Sequence, residues 1–169
     1  MTENVFALTG DKSHEIERPR AFNAIFYGGL AVGILDGLAA VILTIQRGGV
    51  VSRMFQGIAS GLIGRGSLQG GFATALLGVS LHFLIAFIWA SIYYGVSLKL
   101  PALIRRALIF GPIYGVFVYF AMQIIVLPLS AIRKAPFSFA APLQGIIIHI
   151  ICVGLPIALA ASRSAKKSK

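Results

Sequence analysis

Four long apolar runs, each at least as long as the ~20 residues a helix needs to cross about 30 Å of hydrocarbon, constrain this chain most. They lie at about 22–45, 71–97, 107–128 and 139–161. A water-soluble domain carries about 25% charged residues. Here charged residues make up 12% of 169, so most of the surface must face something other than water. Inside lipid every backbone N–H and C=O has to be satisfied within its own segment, which makes each run a helix. The expected fold is therefore all-α: an integral membrane four-helix bundle. One domain spans residues 21–162, between an N-terminal tail (1–20) and a basic tail (163–169).

The remaining composition narrows the setting. Residues 1–20 mix Glu3, Asp11, Lys12, Glu15, Glu17, Arg18 and Arg20 with no short apolar core, so no cleavable signal peptide is expected. Cys152 is the single cysteine, which excludes an intrachain disulfide. Of the 15 Lys and Arg residues, five (Arg47, Arg53, Arg65, Arg133, Lys134) follow the outgoing ends of the runs. The other basic residues flank the opposite ends, and the positive-inside rule then puts both termini in the cytoplasm. The tail from Arg163 to Lys169 is expected to touch anionic lipid, at about 1 kcal/mol per basic side chain. A nucleic-acid role is not expected, because no folded basic face with stacking aromatics is present.

Between the first two runs, Val51, Met54, Phe55, Ile58 and Leu62 recur at helical spacing. Ser52, Arg53, Gln56, Ser60 and Arg65 fall mostly on the other side. This pattern predicts an extra amphipathic helix at about 50–64, lying on the outer interface. Trp89, Tyr93 and Tyr94 suit an interfacial aromatic position at the cytoplasmic end of the second run.

Asp36 is the only acidic residue after Glu17, and it sits near the middle of the first run. A carboxylate at that depth costs roughly 2.5–3.5 kcal/mol on insertion scales, so it needs a partner or a task. His82, Tyr119 and His149 each lie within about two residues of the midpoint of another run, or ~3 Å along the axis. Small residues share their faces: Gly29 and Gly33 with Asp36, Gly71 and Gly78 with His82, Gly115 with Tyr119, Gly145 with His149. Small residues at helical spacing mark faces turned to other helices, so the four polar side chains are expected to point into the bundle as one layer. Gln123 and Gln144 lie about one turn outward and extend a polar path toward it. Gly78-x-x-x-His82 is echoed by Gly145-x-x-x-His149, as two related helical hairpins would produce.

Several chemistries suit such a layer. It can bind or pass a small ligand or proton, in which case four helices form a thin pore and a homo-oligomer or membrane complex is implied. His82 and His149 can supply axial ligands to a b-type haem, the one cofactor weighed as an alternative to none. With Asp36 they also form the two-histidine, one-carboxylate set of a non-haem metal site. The layer can equally be polar glue that holds a structural subunit in register. No G-x-S-x-G, S-x-x-K, Walker or dinucleotide pattern occurs, so a non-enzymatic role is expected.

Several short motifs together resemble one family. These are Gly33-Ile34-Leu35-Asp36, the stretch from Gln56 to Gly61, Gly70-Gly71, Leu81-His82-Phe83, Tyr114-Gly115, Pro128-Leu129-Ser130 and His149 followed by Gly154-Leu155-Pro156. From Gly28 to Ala161 the chain resembles a group of small bacterial inner-membrane proteins with four spans and no assigned activity. The resemblance implies a bacterial inner-membrane location and no particular substrate.

Overall fold

A computed structural model describes residues 19–129 and 140–165. The N-terminal tail before residue 19, the connection bearing Ser130, Arg133 and Lys134, and the tail after residue 165 lie outside the described residues. Helix α1 (Ala21–Gln46) is followed by α2 (Val51–Ile63), a 3₁₀ turn (Arg65–Gln69) and α3 (Gly71–Ser97). Next come the short α4 (Ala102–Arg105) and α5 (Ala107–Ala121), continued by a π-helical turn (Met122–Val126) into α6 (Leu127–Leu129). Helix α7 (Ala140–Ile148) leads through a second π-helical segment (His149–Gly154) into α8 (Leu155–Ala165). The described residues contain no strand, and four helical stretches among them are long and apolar enough to cross a membrane.

Proline chemistry explains the two wide turns. Each ends just before a Leu-Pro pair: Val126 before Leu127-Pro128, Gly154 before Leu155-Pro156. Proline has no N–H to donate, and its ring collides with the carbonyl four residues earlier. Widening the preceding turn to an i→i+5 pattern relieves both problems without ending the helix.

Small residues decide which helices adjoin. Helix α1 packs against α3 on one side and α8 on the other, with Gly28 facing Ala90 and Ala160. Gly29 and Gly33 lie beneath the rings of Phe87 and Phe83. Helix α5 presses on the second π segment and α8 through Gly111, Gly115 and Gly154. A methyl group on Gly115 would stand 2.5 Å from the His149 carbonyl oxygen and 2.7 Å from Ile150 Cα. The two backbones touch, a packing that only glycine permits.

Helices α3 and α5 meet differently, through rings. Trp89, Tyr93, Tyr114 and Phe117 interlock edge to face, with Tyr93 and Tyr114 centroids 4.9 Å apart. The Tyr114 hydroxyl donates to the Trp89 carbonyl (2.6 Å), and the Tyr93 hydroxyl donates to the Leu103 carbonyl (3.0 Å). Tyr93 is 0% exposed, so it is a buried strut where the sequence suggested an interfacial ring.

Five further positions differ from expectation. Gln56 and Ser60, expected on the polar side of the interfacial helix, are buried, whereas Leu62 of its apolar stripe is 66% exposed. Hydrogen bonding is the reason. The Gln56 amide donates to the Gly71 carbonyl (2.8 Å), the Ser67 hydroxyl to the Gln56 carbonyl (2.9 Å), and the Thr74 hydroxyl to the Ser67 carbonyl (2.6 Å). These bonds clamp α2 on the start of α3. Gly78 packs on the Phe55 carbonyl of α2 rather than on another long helix. Gly71 meets nothing within 4 Å; its φ of +61° turns the chain into α3, a conformation that favours glycine.

Candidate functional site

The rings that join α3 to α5 sit at the end of the bundle near Ala107 and Ser97. Toward the other end a half-open cavity of about 360 Å³ lies between the two helices. Asp36 reaches it from α1, His82 from α3 and His149 from the second π segment. Ile58, Gly61 and Leu62 of α2 cover one side, and Trp89 lies at the end nearest the aromatic joint. The rest of the wall is aliphatic, apart from Met122. A mostly apolar chamber with a few convergent polar groups, at the small end of the ~300–1,000 Å³ range, is the usual form of a small-molecule site.

Backbone carbonyls orient both imidazoles. His82 Nε2 lies 3.0 Å from the Gly33 carbonyl oxygen of α1. Gly37, one turn further on, leaves room for the ring: a methyl group there would stand 3.2 Å from Nε2. His149 Nδ1 lies 2.9 Å from the Gly145 carbonyl of its own helix. A carbonyl oxygen only accepts, so the proton sits on Nε2 of His82 and on Nδ1 of His149. His82 Nδ1 and His149 Nε2 are the ring nitrogens turned away from these carbonyls. The Gly-x-x-x-His echo does not extend to contacts, because one histidine bonds across helices and the other bonds within its own.

Asp36 is half-buried, and it stands within electrostatic reach of Cys152, which follows His149 on the same π segment. Proline-driven widening of that segment thus bears on both the His149 and the Cys152 positions. Among the described residues, the ring partners of His82 and His149 are backbone carbonyls and not the Asp36 carboxylate.

The other three residues expected at the site lie elsewhere. Tyr119 is buried behind His149, with ring centroids 5.4 Å apart and its ring over Gly145, and it does not line the cavity. Its neighbours Val118 and Met122 occupy the wall instead. Gln144 is exposed and accepts a hydrogen bond from Arg47 Nη2 (2.7 Å), joining the ends of α1 and α7. Gln123 is half-buried in the first π turn and is not part of the wall. Among the described residues, no group of three His, Cys, Asp or Glu side chains is disposed to hold a metal ion. Asp36, His82 and His149 thus share a chamber without forming the two-histidine, one-carboxylate set.

Sequence reading gave Gly37 no role, Trp89 only an interfacial one, and Cys152 none beyond excluding a disulfide. Gly37 had a signal: it continues the Gly29–Gly33 spacing past Asp36. Trp89 had one too, lying seven residues after His82 and hence on the same helical face. Against known protein families, curated proteins and solved structures, the chain finds no match.

Proposed function

We propose that this is a non-enzymatic, multi-pass protein of the bacterial inner membrane whose Asp36–His82–His149 chamber binds or passes a small ligand or proton. The observation that carries the reading is that these three ionisable side chains, from three different helices, line one cavity. Ionisable groups at membrane depth are costly to keep, and enclosing them around a void rather than against each other suits a ligand better than polar glue. Only 22–28% of each long helix's most apolar stretch is buried within the chain, leaving extensive apolar surface for lipid or for further copies. Both termini are assigned to the cytoplasm, with the basic C-terminal tail on anionic lipid.

Reconstitution in liposomes tests the reading. Wild-type protein is expected to gain thermal stability from small amphiphiles that fill the chamber, or to dissipate an imposed pH gradient. Asp36→Asn is expected to remove that behaviour while still folding. Unchanged ligand response and flux in Asp36→Asn, accompanied by a lower melting temperature, would leave the layer a structural device. An absorption spectrum checks the haem alternative: a Soret band lost in His82→Ala would replace the present reading.

A further inference from the structure

We infer that the chamber selects a lipophilic amine, a small apolar molecule ending in a protonated nitrogen, over alcohols and acids of the same length. This inference rests on the chamber being a binding site. It follows from counting what the walls offer. Asp36 presents carboxylate oxygens, and His82 and His149 each direct one ring N–H to a backbone carbonyl rather than into the cavity. Among the described lining side chains other than the two histidines, the one N–H or O–H donor is the indole of Trp89, two turns from His82. Among the described residues no Arg or Lys lines the cavity, and Arg47, the cation nearest in sequence to Asp36, is engaged by Gln144.

Such a wall leaves its acceptors unfilled unless the guest brings donors. An ammonium group brings three N–H bonds and the charge that Asp36 lacks, and charge-assisted bonds are the stronger kind. A carboxylate guest would repel Asp36, and an alcohol would supply one donor and no charge. The aliphatic remainder of the wall accommodates an alkyl body. The face of Trp89 offers a second, weaker attraction for a cation.

Trp89 also makes the test direct, because it is the only tryptophan in the chain. Its emission is followed while detergent-solubilised protein is titrated with n-octylamine, n-octanol and sodium octanoate, with Trp89→Phe as the blank. Octylamine is expected to change the emission at about ten-fold lower free concentration than octanol, with octanoate weakest. Asp36→Asn is expected to abolish the amine preference and Asp36→Glu to retain it. Equal potency of octanol and octylamine, a preference for octanoate, or an unchanged preference in Asp36→Asn would overturn the inference while leaving a binding chamber. Silence of Trp89 toward all three compounds would overturn both the amine preference and the binding reading. The wild-type comparison stands even if a variant fails to fold.

Discussion

The two seams that flank α5 are built on opposite principles. Against α8 and the π segment before it, Gly111, Gly115 and Gly154 bring backbone onto backbone. Against α3, four aromatic rings make the contact, and a cavity opens beside them. A glycine joint maximises dispersion contact and excludes guests. A ring joint fixes spacing through side-chain bulk and the Tyr114 hydroxyl's bond to the Trp89 carbonyl, so the adjoining helices stand far enough apart to leave a pocket. Within one small bundle, one seam is closed by glycines and the other is propped open beside a pocket.

Removing the largest prop should have the largest effect. Tyr93→Ala deletes a fully buried ring and strands the Leu103 carbonyl, and a loss of about 3–5 kcal/mol is expected from unfolding titrations in detergent. A loss below that range would mean that α3 and α5 are held together by something other than the rings. Gly115→Val attacks the other seam, where the added carbon meets backbone that cannot rotate away. Its cost is expected near the top of the ~1–3 kcal/mol typical of overpacking, read as a lower melting temperature. Tolerance of valine there would show that α5 and α8 can separate.

Smaller changes sharpen the contrast. Tyr114→Phe keeps the ring and loses only the bond to the Trp89 carbonyl, so about 1 kcal/mol is expected from the same titration. Gly95→Ala, in α3 where a methyl group meets nothing within 4 Å, should instead stabilise by up to about 1 kcal/mol. Glycine is therefore required at position 115 by contact, and is present at position 95 without a packing reason. Opposite signs for the two substitutions in one thermal-melt series would verify that distinction.

Much of the architecture was legible from residues alone. The four long helices follow from apolar run length, since in a water-poor medium the backbone must bond locally and no distant partner is needed. The nearness of Asp36, His82 and His149 to one chamber could be read from their depth and from the small residues on their faces. Tyr119 shows where that reasoning stops. Residues three and four apart share a face, but a face is a broad stripe that leaves the helix rotation loose. A modest turn of α5 puts Val118 and Met122 in the wall and Tyr119 behind His149. Helix α2 illustrates the same limit: its hydrophobic stripe predicted one inward face, whereas hydrogen bonds to Gly71 and from Ser67 turned Gln56 inward instead.

What each stretch of chain becomes was thus written locally, in apolar length, in the Leu-Pro pairs that widen two turns, and in glycines placed along helix faces. Which helices touch, which are propped apart, and which nitrogen of each histidine keeps its proton all depend on partners distant in sequence. Those choices come from side-chain volumes and hydrogen-bond partners meeting in three dimensions. The Gly33 carbonyl that orients His82 lies 49 positions away, a relation that no periodicity in either helix encodes.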